Sequence, residues 1–175
     1  MRSIVLSNRH PRLRLDRRAV TRAIRLLDAH AAEIGVHTTA FLAGEISLAF
    51  LTDAELAQLH AQFLDDPSVT DVITFEGDPA LGSAGEICVS VDAALRHFAG
   101  RQKPAGVRPR AARVSGEEFS AELTLYVVHG WLHLGGYDDL QPAKKRAMRR
   151  AEQRALALLR AHDALPRFRL AAARR

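Results

Sequence analysis

Two histidines four residues apart, His129 and His133, followed closely by a pair of aspartates, have the types and spacing to do chemistry. In a helix turning about 100° per residue, positions four apart lie about 40° from each other, so both imidazoles leave one face and can share one metal ion. The diglycine Gly135-Gly136 stops such a helix and lets the chain reverse tightly, bringing Tyr137, Asp138 and Asp139 back toward the imidazoles. A carboxylate from that return completes a three-point set, and Asp139 is the preferred third ligand. Two nitrogens and one oxygen suit zinc, one ion per chain, and leave its fourth tetrahedral position open to water, which separates a catalytic zinc site from a closed structural one. His129, His133 and Asp139 are thus expected to be both the metal ligands and the catalytic centre of a hydrolase. Gly130 stands where the metalloprotease pattern H-E-x-x-H has its water-activating glutamate, which argues against a peptidase.

The helix that must carry the pair starts at a capping box, Ser115 with Glu118 three residues on, and turns Phe119, Leu123, Val127 and Leu134 inward. Glu122 shares the histidine face two turns earlier and is either a partner that orients a histidine or an exposed acid favoured by the helix dipole. Trp131 and Tyr137 are read as walls of the pocket, with base stacking as the other use of their rings. Upstream, residues 3–7 read as a strand, and Asp16 caps an amphipathic helix with Val20, Ile24 and Leu27 inward and arginines outward. Residues 45–51 alternate as a second strand. Thr52 or Asp53 then caps a helix that turns Leu56, Leu59 and Phe63 inward and ends near Leu64. Residues 70–75 and 85–90 are two further strands joined by a Gly, Pro and Asp loop, and a helix follows over 91–98. Residues 101–114, with two prolines and five basic side chains, read as a mobile basic loop, and residues 165–175 as a basic tail, within one domain.

With 175 residues, 47% hydrophobic and 26% charged, the composition is that of an ordinary water-soluble chain with room for one core. No stretch approaches the roughly 18 uninterrupted apolar residues of a membrane span, and the N-terminus lacks a secretory pattern, so the cytoplasm is the expected compartment. Cys88 is the single cysteine and its alternating neighbours make it a core thiol. The net charge of +5 is segregated. Residues 1–25 carry eight arginines against Asp16, residues 26–95 carry twelve acidic side chains and no lysine or arginine, and residues 96–175 carry seventeen basic against seven acidic. Basic ends around an acidic middle fit a nucleic-acid partner, attracted by counterion release, beside a separate cation site; solvated surface is the other reading.

Read in full, His129-Gly130-Trp131-Leu132-His133-Leu134-Gly135-Gly136-Tyr137-Asp138-Asp139 resembles the motif H-G-x-L-H-L-x-G-Y-D-H of the YbeY family of bacterial rRNA-maturation endoribonucleases. Residues 70–75 resemble the family's P-T-D-V-L-S-F segment and Gly85-Glu86-Ile87 its G-[DE]-I strand, while Met148 and Glu152 sit where its last helix has them. The resemblance runs in order across roughly residues 46–159. It implies an α/β (α+β) fold, a small, mostly parallel four-stranded sheet packed with about five helices, including a zincin-like metal helix. It also implies a single-strand-specific, zinc-dependent endoribonuclease acting in 16S rRNA 3′ end maturation and ribosome quality control, with rRNA and the small ribosomal subunit as partners. Thr70 and Asp71 are placed at the pocket by the same resemblance.

Two departures alter that expectation. The family's third histidine is Asp139 here; a carboxylate still ligates zinc but cancels part of its charge, leaving the bound water less acidic. The family's arginine six residues before the motif threonine falls on Leu64, which cannot contact phosphate. His60 nearby or the basic loop are candidate replacements. The alternative to a nuclease is a zinc-stabilised, RNA-binding ribosome-assembly factor with little catalysis.

Overall fold

Runs that are buried on both faces set the middle of the sheet. β3 (Glu45–Leu51) and β5 (Ser83–Ser90) each end in four consecutive buried residues, the pattern of strands covered on both sides. They pair in parallel, Leu48 opposite Ile87, in a computed structural model that describes residues 2–38, 40–66, 68–101 and 116–172. β1 (Ile4–Asn8) adds to β3 in parallel and β4 (Val72–Glu76) adds antiparallel to β5, giving the order β1-β3-β5-β4. A separate antiparallel ribbon joins β2 (Leu13–Leu15) to β6 (Phe168–Leu170). The fold is therefore α/β with a mostly parallel four-stranded sheet. Part of the stretch expected to be a basic tail belongs to this ribbon, because Phe168 is a core residue.

Among the described residues six α-helices cover the sheet, five long ones and a single turn. In α1 (Arg17–Ala29) Asp16 caps as expected, its Oδ1 accepting from Arg18 N at 2.8 Å, and Val20, Ala23, Ile24 and Leu27 face inward. α2 (Ala31–Ile34) is the single turn. α3 (Asp53–Leu64) opens on a full capping box between Thr52 and Glu55. Leu56 is buried as its spacing predicts, but Phe63 is 57% exposed and rests edge-on against Phe75 beside the open edge of β4. α4 is Val91–Arg101, α5 is Gly116–Leu134, and α6 is Pro142–Ala161, with proline in its first turn. The expected Ser115 cap and most of the basic loop lie outside the described residues. Cys88 is buried, and burial, with Glu86 adding and Arg9 opposing, pushes its thiol up to about 12, which makes it inert packing.

How closely α5 lies on the sheet is decided by Gly130. A Cβ at that position would overlap Ile87 Cγ2 and press on Val72 and Thr74, so only glycine lets the helix axis approach β4 and β5 so tightly. The histidines on either side of Gly130 are thereby held at the sheet's β4 margin. This packing also explains why no glutamate follows His129: position 130 points into the sheet, and a base there would have nowhere to go. Trp131 points further round into the core. It is fully buried, meets Phe41 edge-on at 5.4 Å, and donates from Nε1 to Asp28 Oδ1 at 2.9 Å. Asp28 is held in turn by Arg2, whose Nε lies 2.9 Å from Oδ2. Trp131 is therefore neither a pocket wall nor a stacking platform, correcting the expectation from sequence.

Candidate metal centre

The end of α5 is a Schellman motif built on the diglycine. Gly136, at φ 89°, donates to His133 O at 2.9 Å, and Tyr137 N donates to Leu132 O at 3.0 Å. The turn returns the chain over the last helical residues, which puts the Tyr137 carbonyl 3.0 Å from His133 Nδ1 and Asp139 Oδ1 4.0 Å from His133 Nε2. Across the helix pair, Glu152 of α6 accepts from His129 Nδ1 at 2.6 Å. The two imidazoles stand edge to face with centroids 4.5 Å apart and their Nε2 atoms 2.9 Å apart. His129, His133 and Asp139 each present a ligand atom, all within 4.8 Å of one another, and could hold a metal ion. Side-chain exposures of 18% for His129, 26% for His133 and 32% for Asp139 leave the site reachable from solvent while its orienting acid Glu152, at 15%, is better shielded.

The hydrogen bonds dictate where the protons are. A carboxylate and a backbone carbonyl can only accept, so Glu152 fixes a proton on His129 Nδ1 and Tyr137 fixes one on His133 Nδ1. Both Nε2 atoms are then left with bare lone pairs aimed at each other, an arrangement that requires a cation between or beside them. A metal ion satisfies it with both rings neutral; a single extra proton satisfies it with one ring charged. The electrostatics are asymmetric in the same sense. For His129 burial pulls the pKa down, but the hydrogen bond and charge of Glu152, with Asp71 and Asp139, outweigh it and hold the ring above the ordinary imidazole value. For His133 burial, with the neighbouring His129 charge, wins over the Tyr137 carbonyl and Asp139 and holds the ring below that value. The donor set of two imidazoles and one carboxylate, oriented from behind, fits a zinc-type ion.

The other candidates divide between this centre and elsewhere. Asp138 turns away to Lys144 Nζ at 2.7 Å and to Leu140 N, which hold its carboxyl below the usual range, so Asp139 is the carboxylate that faces the histidine pair. Tyr137 donates from its hydroxyl to Gly35 O at 3.0 Å, anchoring the turn to the end of α2. Glu122 does not orient a metal-site histidine: it pairs with His97 Nδ1 of α4 at 3.3 Å. Between Glu122 and His129 on that face lies Tyr126, whose phenol is raised by burial and by Glu122. Asp71 is exposed at the start of β4, bonded to Val72 N at 3.0 Å and to the Thr70 hydroxyl, and its charge acts on His129. His60 faces Ser68 O and Asp66 and takes no part in the cluster. Glu152, named earlier only through the family resemblance, is the His129 partner that spacing missed; no periodicity within α5 could point to a partner on another helix.

The family described as Endoribonuclease YbeY matches this chain over residues 6–160. The chain belongs to that family. Among its YbeY relatives, the endoribonuclease YbeY of Chlamydia pneumoniae is 40% identical over 126 residues, covering 69% of this chain and 73% of that protein. The endoribonuclease YbeY of Chlamydia felis is 36% identical over the same shares. A Thermotoga maritima protein solved in solution shares the fold at a TM-score of 0.51 and 19% identity, over 94% of this chain and 95% of that one. The YbeY match spans every residue of the centre, Glu152 included. Among the described residues no helix is long and apolar enough to cross a membrane.

Proposed function

We propose that this chain, acting as one domain, is a single-strand-specific, zinc-dependent endoribonuclease of the cytoplasm that matures the 16S rRNA 3′ end and serves ribosome quality control, with rRNA and the small ribosomal subunit as partners. The observation that carries the reading is the inward pairing of two Nε2 atoms 2.9 Å apart, each stripped of its proton by an acceptor at its own Nδ1. His129, His133 and Asp139 would hold one zinc ion per chain, which when bound supplies Lewis-acid polarisation of a phosphodiester oxygen or a water of lowered pKa. Glu152 holds the His129 proton at Nδ1 and fixes the ring against rotation; the Tyr137 carbonyl does the same for His133. Asp139 brings negative charge as well as an oxygen, tempering the acidity that an all-imidazole set would confer. The close packing of Gly130 leaves no room for the glutamate that the H-E-x-x-H peptidase pattern uses.

A second reading, a zinc-stabilised RNA-binding assembly factor with little catalysis, is favoured by Leu64 standing where the family motif has an arginine. Incubation with a 3′-extended 16S rRNA precursor separates the two. Cleavage that chelator abolishes and zinc restores supports the nuclease. Bound zinc without cleavage supports the assembly factor, and cleavage indifferent to chelator contradicts a role for the centre.

A further inference from the structure

The charged side chains that act on the histidine pair, Asp71, Asp138, Asp139 and Glu152, are acidic and give an RNA backbone no grip of their own. Exposed basic side chains stand on the first turns of α6, Lys144, Lys145, Arg146, Arg149 and Arg150, and a second set gathers toward the other end of α5. There β6 is tied to the helix by Ser120, whose Oγ accepts from Phe168 N at 2.9 Å. From Ser120 to His129 the helix rises about 14 Å.

In the β2–β6 ribbon Arg14 and Arg169 are direct cross-strand partners and both are exposed. Like charges directly opposite one another destabilise a two-stranded ribbon, a cost that a bound anion removes. β2 runs straight into α1, where Arg18, Arg22 and Arg25 fall within a sector of about 60°, opposite the buried apolar face. Asp16 does not neutralise that stripe, because its carboxylate is turned onto the helix N–H groups. Arg22 reaches His162 O at 2.9 Å and so joins the stripe to the end of α6, beside Arg167 and the ribbon. Glu117, Glu118 and Asp163 mark the acidic margin of this surface. Among the described residues no salt bridge engages any of these six arginines, nor Lys145, Arg146, Arg149 or Arg150 of α6, whereas Arg2, Arg9, Arg96 and Lys144 are all paired.

We infer that the β2–β6 ribbon and the exposed stripe of α1 form a docking surface for the sugar–phosphate backbone of single-stranded RNA, separate from the metal centre. Its choice of RNA rests on the ribonuclease reading. Among the described residues no exposed Phe, Tyr or Trp accompanies these arginines, so the contact is electrostatic and indifferent to sequence.

The test is equilibrium binding of a cleavage-resistant 2′-O-methyl RNA strand to the full chain across a salt series. Wild type is compared with the triple variant Arg18→Gln, Arg25→Gln, Arg169→Gln and with its lysine counterpart, Arg18→Lys, Arg25→Lys, Arg169→Lys. Losing three phosphate contacts flattens the logarithmic salt slope by about 2 and weakens binding roughly 100-fold near ~0.1 M salt. The lysine variant keeps wild-type binding, and all three chains melt alike. Equal binding by the wild type and the glutamine variant overturns the surface and leaves the metal centre untouched. Absence of RNA binding by the wild type overturns both the surface and the ribonuclease reading. Binding to anionic phospholipid vesicles that the glutamine variant loses, with RNA binding unchanged, assigns the arginines to a membrane and overturns the RNA surface.

Discussion

The two ends of α5 treat charge in opposite ways. At the metal end the orienting groups are paired one to one: Glu152 behind His129, the Tyr137 carbonyl behind His133, Lys144 on Asp138. At the ribbon end the arginines face solvent, and two of them face each other across a pair of strands. A centre that must present bare lone pairs in one geometry needs its protons fixed in advance, so it is oriented from behind and half-shielded. A surface that meets a flexible polyanion needs only density of charge, and ordering its side chains beforehand would gain nothing. Orientation and attraction are thus separated along one helix.

The largest way to break this division is His133→Ala. It removes one of the paired Nε2 atoms, and metal content and cleavage should both fall to the level of chelated wild type, with RNA binding retained. Glu152→Ala should cost about 10–100-fold in metal affinity, because it frees the His129 ring and its tautomer without removing a ligand. Calorimetric titration of zinc into the two variants measures both effects.

Proton competition sharpens the same point. Burial opposes but Glu152 and its neighbours raise the His129 pKa, so zinc affinity should begin to fall, as pH is lowered, at a higher pH than an ordinary imidazole would show. In the metal-free chain the raised His129 pKa contributes stability that is fully present below the unfolded-state value and lost as pH rises through the folded-state value. Glu152→Ala should move the onset of zinc loss to lower pH, which a zinc titration repeated across pH reads directly. Beneath the metal centre, Gly130→Ala drives a methyl into Ile87 and should cost about 1–3 kcal/mol by thermal or denaturant unfolding. Smallest is Trp131→Phe, which gives up the hydrogen bond to Asp28 for about 1 kcal/mol and should leave zinc affinity unchanged.

The residues of the centre were legible where local periodicity governs and illegible where tertiary packing does. Four-residue spacing put His129 and His133 on one face, and the diglycine announced the Schellman turn that carries Asp139 back. The same arithmetic places Trp131 about 200° round the helix from His129, so its core position was readable from angles even though its aromatic type suggested a pocket wall. Glu122 was a reasonable guess for the orienting acid because it shares the helix face, yet α4 supplies it with His97, and the acid that does orient His129 comes from α6, 23 residues away. The long strands were set by alternation and by buried runs. The three-residue strands β2 and β6 were not, because LRL and FRL are too short for a periodic signal and are made strands only by each other. Phe63 followed helical spacing but met the open edge of β4 rather than a covered one.

The metal content of the purified chain beside Asp139→Ala and His133→Ala tests most directly whether His129, His133 and Asp139 hold a metal ion. About one zinc per chain in the wild type, reduced in the first variant and lost in the second, is the expected result. Wild-type protein that holds no metal, and takes up none when zinc is supplied, would contradict it.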